Sequence, residues 1–447
     1  MTTPLVDISR RVTGFSPTGT VRSYGQLTRG FGLMLEGRGL AAAVGDMVEV
    51  VSAEGHMIVT AEVVGFREDR ILMMPLGPSE GVGPGTWIRP LGRVPSVAVG
   101  EGLLGRVLDG MGHPIDGGEM PVPDVSGRVP LYGRPVGPMN RRRIRQPIAT
   151  GVRVLDSLIS VGEGQRMGVF AGGGVGKSKL LGMIAASSAA DINVIALIGE
   201  RGREVREFIE RELGPEGLAR SVVVAATSDQ APLVRLRGAY VATAIAEFFR
   251  DRGASVMLMM DSVTRFAMAQ REVGLSIGEP PATKGYTPSV FAAIPALLER
   301  AGMGAEGSGS ITGIYTVLVE GDDLGDPVAD TLRATLDGHV VLSREIAATG
   351  HYPAVDVSRS VSRVMVDVVE PAHTEAAQKI RNLLGIYEEA RDLITIGAYK
   401  AGNRPELDRA VELYDEISAF LTQSEHQPSS WDEARAGLYA LAKKVTQ

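Results

Sequence analysis

The sequence predicts an α/β protein built on a mainly parallel sheet, with a small β-barrel before that core and a helical domain after it. Three observations carry this. Nearly continuous apolar runs alternate with helical patterns through the middle of the chain: Met167–Phe170, Val194–Ile198, Val222–Ala225, Val256–Met260 and Ile314–Val319. Strands buried on both faces read this way, and helices sandwich such a sheet. Before residue 96, shorter segments such as Met47–Val51 and Met57–Val64 alternate only in part and are broken by turn residues, the pattern of a barrel. Beyond residue 365, Ile380, Leu383, Leu384 and Tyr387 repeat at helical spacing, as do Leu407, Ala410, Val411 and Tyr414, with Gly402 and Pro405 separating two helices.

These patterns divide the 447 residues into a polar arm (1–20), the barrel (21–95), a Gly- and Pro-rich connector (96–150), the α/β core (151–365) and the helical domain (366–447). A chain of this length exceeds a single compact core. The net charge of −7 argues against nucleic acid as a main partner. One dense basic run, Arg141-Arg142-Arg143-Ile144-Arg145, reads as a solvated face or interdomain contact, or else as a site for an anionic partner. With no cysteine, disulfides and thiolate metal sites are excluded. The N-terminus lacks a basic region followed by an apolar run, and no stretch approaches the roughly 20 apolar residues that span a bilayer. The expectation is a cytoplasmic protein.

Ala171-Gly172-Gly173-Gly174-Val175-Gly176-Lys177-Ser178 follows a strand and opens a helix. It nearly fits the phosphate-loop pattern, with Ala171 where the strict pattern has its first glycine. Glycines let backbone N–H groups converge on phosphate oxygens, and the helix N-terminus favours negative charge. Gly172 to Lys179 are therefore the predicted nucleotide-binding segment. Lys177 can reach the β- and γ-phosphates, and the Ser178 hydroxyl can bind Mg²⁺. Asp261 ends the Val256–Met260 strand, where a carboxylate can hold the water shell of the same ion. The expected cofactor is Mg²⁺, arriving with ATP.

Hydrolysis also needs an acceptor for the attacking water. Glu200 stands at the carboxyl end of the Val194–Ile198 strand, where ligands collect in open α/β sheets. It reads equally as an acid at a helix N-terminus, a role open to Glu204 as well.

Gly199-Glu200-Arg201, the phosphate loop, and Pro353-Ala354-Val355-Asp356 followed by Ser360-Val361-Ser362-Arg363 together resemble the rotary ATP synthase α/β family. The resemblance runs nearly the whole chain and implies a RecA-like core. It makes Glu200 the catalytic glutamate, Arg363 a finger supplied in trans to a neighbour's nucleotide, and Tyr352 the adenine-stacking tyrosine. Arg201 and Arg265 match arginines near the γ-phosphate. The longer stretches Gly199–Val205, Asp261–Glu272, Gly278–Tyr286 and Asp392–Tyr399 resemble the protein-export ATPases in particular. The acidic rotor-coupling motif of ATP synthase β subunits is absent from the last of these.

Within that branch the Gly350-His351-Tyr352-Pro353 wording and the N-terminal arm lean towards the flagellar enzymes over those of virulence injectisomes. The likeness implies a homohexameric ATPase ring, peripheral at the inner-membrane export apparatus. Its implied partners are a stator-like regulator at the arm, an export gate and stalk protein, and chaperones with their export substrates, together with a peripheral membrane contact. A catalytic subunit of an ATP synthase and an RNA-translocating ring helicase are the remaining alternatives. The helicase requires a basic, aromatic-bearing RNA site that Tyr24–Arg93 does not supply.

Overall fold

The structure, a computed structural model, describes residues 24–92, 94–118, 124–319, 321 and 325–446. The arm expected at 1–20 lies outside them. The described chain forms two compact units, one of residues 24–95 with Ser276–Gly278, the other of residues 96–275 with 279–446.

The first unit is a closed antiparallel barrel. Its strands are β1 (Gly25–Phe31), β2 (Met34–Arg38), β3 (Met47–Val51), β4 (Met57–Arg67), β5 (Arg70–Pro75) and β6 (Trp87–Pro90), in the order β1-β2-β5-β4-β3-β6, with β6 returning to β1. Val48 opposes Ala61 and Val50 opposes Val59, and all four point into the core with Val63, Ile71, Met73 and Ile88. A small barrel has room for little backbone bulk. At Gly37 a Cβ would sit 2.1 Å from Ile88 Cδ1, so any larger residue would make that core side chain move.

Further along the chain, β7 (Ser96–Gly100) and β9 (Val125–Pro130) form a two-stranded ribbon, while β8 (Val107–Asp109) lies between them in sequence. The main sheet is built from β10 (Arg166–Ala171), β11 (Ile192–Ile198), β12 (Ser221–Ala226), β13 (Ser255–Asp261), β15 (Ser310–Leu318), β16 (Gly338–Leu342) and β17 (Val355–Ser362). Its order is β17-β16-β10-β15-β13-β11-β12-β8, parallel except at β17; a short β14 (Gly302–Met303) pairs antiparallel with β15. Every residue of β12 is buried, as the uninterrupted apolar run requires. β8 comes from the stretch read as a connector and extends the sheet beyond β12.

Two arginines of the basic run are neither a solvated face nor an anion site. Arg141 donates to the carbonyls of Glu299 and Ala301, and Arg142 to those of Ser308 and Gly309. They staple residues 141–142 to the segment leading into β15. Arg143 and Arg145 remain exposed.

The C-terminal region holds helices Pro371–Thr395, Pro405–Leu421 and Trp431–Thr446. The periodicity argument marks the first two. The third carries Ala434, Leu438 and Leu441 at i, i+4 and i+7, all buried. These helices share one apolar core with the sheet: Ile380, Leu383, Ile417 and Leu438 are continuous with Val169, Leu197 and Met259.

Candidate active site

β10 ends at Ala171, and the chain then turns through the glycine-rich loop into the helix Lys177–Ser187. Val175 is buried and anchors the loop, while Gly174 and Gly176 take positive φ values of 78° and 90°. Gly176 also leaves room for Tyr352, whose ring would lie 3.3 Å from a Cβ placed there. Loop and tyrosine are thus in contact.

Lys177 is the first residue of the helix. Its Nζ donates to Asp261 Oδ1 at 2.5 Å and stands 3.8 Å from Glu200 Oε1. Asp261 closes β13, is buried, and also accepts from Thr316 Oγ1 on β15 at 2.8 Å. Glu200 follows β11, the neighbour of β13 in the sheet, so the two carboxylates converge on one lysine. The turn at Gly199 has φ 71°, and a Cβ there would press on the Arg265 side chain at 2.8 Å.

The electrostatics follow from this packing. Glu200 is pushed up to about 7, first by burial and then by the charge of Asp261, with Lys177 opposing. A hydrogen bond to Glu204 also favours its protonated form. Burial raises the Glu204 carboxyl too, but hydrogen bonds from Glu200 and Arg201 outweigh it and hold Glu204 below its ordinary value. Arg201 pairs with Glu204 at 2.8 Å, its side chain exposed.

Lys177, Ser178, Lys179, Glu200, Arg201, Arg265 and Tyr352 border one cleft of about 1060 Å³ together with the loop glycines, and Asp261 is bonded to Lys177 at its floor. The buried Arg265 Nε has no hydrogen-bond partner. Arg363 is not among the residues that border the cleft. It follows β17, is exposed, and donates to the Arg333 carbonyl at 3.1 Å. The cleft also takes in residues that sequence reasoning missed: Glu212, and Gln423, Ser424 and Glu425 from the turn between the last two helices. No local pattern marks these: Glu212 comes from the segment Phe208–Leu213 packed on the phosphate-loop helix, and only the packing of the C-terminal helices brings Gln423, Ser424 and Glu425 there.

Among the described residues no group of three or more His, Cys, Asp or Glu side chains could cage a metal by itself. The hydroxyl of Ser178 and the carboxylate of Asp261 are hard oxygen donors beside the phosphate loop. They fit Mg²⁺, which takes its other ligands from phosphates and water. No helix among the described residues is long and apolar enough to cross a membrane.

A phosphate loop at a helix head, with carboxylates closing two adjacent parallel strands, defines a P-loop nucleoside triphosphatase. The profile of the ATP synthase alpha/beta family, nucleotide-binding domain, matches residues 151–362, and that of the T3SS EscN ATPase C-terminal domain matches residues 369–440. The flagellum-specific ATP synthase of Bacillus subtilis (strain 168) is 52% identical over 428 residues, covering 95% of this chain and 96% of that one. The type 3 secretion system ATPase of Xanthomonas euvesicatoria is 52% identical over 411 residues, 92% of each chain. Among solved structures, the assembled ATPase EscN from the enteropathogenic E. coli type III secretion system superposes with TM-score 0.88 at 43% identity, covering 94% of this chain and all of that one. The chain belongs to the ATP synthase alpha/beta family and, within it, to the flagellar and type III secretion ATPases. It is an ATPase of protein export.

Proposed function

We propose that the protein powers flagellar export as a homohexameric ring in which each cleft is completed by Arg363 of the next subunit. The observation that carries this reading is the split of the site: Glu200, Lys177 and Asp261 converge in the cleft, whereas Arg363 stands outside it on an exposed strand end. An arginine placed there is positioned to serve a nucleotide held by another chain. The solved relative described as assembled, and the second one solved with its central stalk EscO, support a ring and a stalk partner.

In this reading the loop N–H groups and Lys177 bind the phosphates, Lys177 exchanging Asp261 for phosphate oxygens. Ser178 and Asp261 would hold Mg²⁺, which when bound would offset the negative charge of the phosphates. Tyr352 packs on adenine, and Arg201 and Arg265 face the γ-phosphate. Glu200 orients a water and takes its proton as the water oxygen bonds to the γ-phosphorus and the bond to the ADP oxygen breaks. Its raised proton affinity makes it a better base for that step. The work done would be release of chaperones and unfolding of substrates by a cytoplasmic ring docked peripherally at the export gate. A stator-like regulator would bind at the arm.

Two measurements test the proposal. Turnover per subunit should rise steeply with protein concentration as rings form; a rate independent of concentration would refute the shared site. The chain should also restore motility to a flagellated host lacking its export ATPase. Rescue of effector secretion without rescue of motility would favour the injectisome reading, which the equal identity of the Xanthomonas relative keeps in view.

A further inference from the structure

We infer that the Lys179–Glu425 ion pair reads the nucleobase of the bound nucleotide and selects adenine over guanine. The inference rests on the cleft being the ATP site and assigns a specificity to its nucleoside end.

Lys177 and Lys179 lie two residues apart on one helix. With about 3.6 residues per turn their side chains leave on opposite sides. Lys177 faces Asp261 and Glu200, where the γ-phosphate is processed. Lys179 faces the other way and meets Glu425 Oε2 at 2.7 Å, on the side of the cleft that holds Tyr352. A nucleotide with its phosphates on the loop and its base against Tyr352 therefore has this ion pair at the edge of the base.

The wall that carries Glu425 is rigidly set. Gln423 is buried and its side-chain amide and backbone N–H are all used: the N–H donates to the Tyr352 carbonyl at 2.8 Å, Oε1 accepts from Arg153 N–H at 2.7 Å, and Nε2 donates to the carbonyls of Gly151 and Gln427. Glu425 is thus two residues from an anchor that also fixes Tyr352. Glu212 adds acidity at this end; burial and the charge of Glu425 both raise its carboxyl.

The selectivity follows from the edge a purine presents. Adenine offers an acceptor at N7 beside a donor at N6, whereas guanine offers acceptors at both N7 and O6. An ammonium beside a carboxylate complements the first pattern. It sets the carboxylate against the guanine O6 lone pairs in the second. A matched pair of this kind is worth about 5- to 150-fold in discrimination.

The test is the ratio of kcat/KM for ATP to that for GTP. The wild-type chain should favour ATP at least about fivefold. Glu425→Ala and Lys179→Met should each bring the ratio close to one. Both side chains are partly exposed, so their loss empties no core. The exchange Lys179→Glu with Glu425→Lys restores an ion pair but reverses its polarity, so it should not restore adenine selection. A purely structural bridge would be rescued by that exchange. A wild-type ratio near one, single variants that keep the preference, or rescue by the exchange would each overturn the inference. Lys177→Ala serves as a separate control: hydrolysis of both nucleotides surviving it would refute the cleft as the site, whatever the selectivity shows.

Discussion

The carboxyl end of β11 and the end of β17 both carry charged residues of the proposed site, yet they are built in opposite ways. At β11, Glu200 is part-buried, faces Lys177 at 3.8 Å and is raised to about 7 by burial and by Asp261. At β17, Arg363 is exposed and its guanidinium is held by one backbone carbonyl. The first environment tunes a group for proton transfer in place. The second leaves a permanent charge free to be buried by another chain. If the proposed ring is right, a site divided in this way is incomplete in the monomer, and assembly itself would switch hydrolysis on.

The sharpest way to break the comparison is at Arg363. Arg363→Ala should lower turnover by roughly 10³ to 10⁵, as loss of a finger does. Mixing it with Glu200→Gln subunits should recover activity, because about a quarter of head-to-tail interfaces in a random ring then hold both intact groups. Assembled mixed rings without any recovery would place Arg363 in its own subunit's chemistry, or require firing around the whole ring.

The next effect lies at the other end of the contrast. Glu200→Gln should cost roughly 10² to 10⁴ in kcat while ATP affinity stays near the wild-type value, since the phosphate ligands remain. Lys177→Ala should weaken both, because that charge meets the phosphates in ground and transition states. Equal loss of binding and turnover in Glu200→Gln would return Glu200 to its other reading, an acid at a helix N-terminus.

Asp156 separates burial from function. It too is buried and raised, to about 6, by desolvation, yet it accepts from Thr150 N–H, Thr150 Oγ1 and Gly151 N–H and stands outside the cleft. Asp156→Ala strands those donors and should lower stability by about 3 kcal/mol, read as a drop in unfolding midpoint. The pH profile of turnover should keep its shape. A changed profile would mean that the cleft senses Asp156.

The smallest effect is the pH dependence itself. As the proposed base Glu200 would act only when ionised, and its folded value lies near 7 instead of the ordinary 4.5. kcat/KM should therefore be level above pH 7 and fall about tenfold per unit below it. A profile that stays level down to pH 5 would show that the acceptor is an unperturbed carboxylate.

Much of this architecture is legible in the chain because it is local. The loop from Gly172 to Ser178 is a contiguous string whose composition is dictated by backbone approach to phosphate. The buried strands β11, β12 and β13 announce themselves by unbroken apolar runs. The barrel's alternation is weaker, since β3 buries four of its five residues and blurs the period. Glu200 is different: its spacing leaves two roles open, and only its setting beside Lys177 and Asp261 supplies a reason for proton transfer.

What the sequence determined by itself is whatever depends on neighbours a few residues away: helix and strand periods, the phosphate loop and the strand-end carboxylates. Only the tertiary structure decided that β8 joins the sheet beside β12, that Thr316 braces Asp261 and that Gln423 reaches Gly151 across 272 residues. Those contacts arise when separate elements bury their apolar faces against one another. Their partners are then fixed by packing, which leaves no period or spacing along the chain to read.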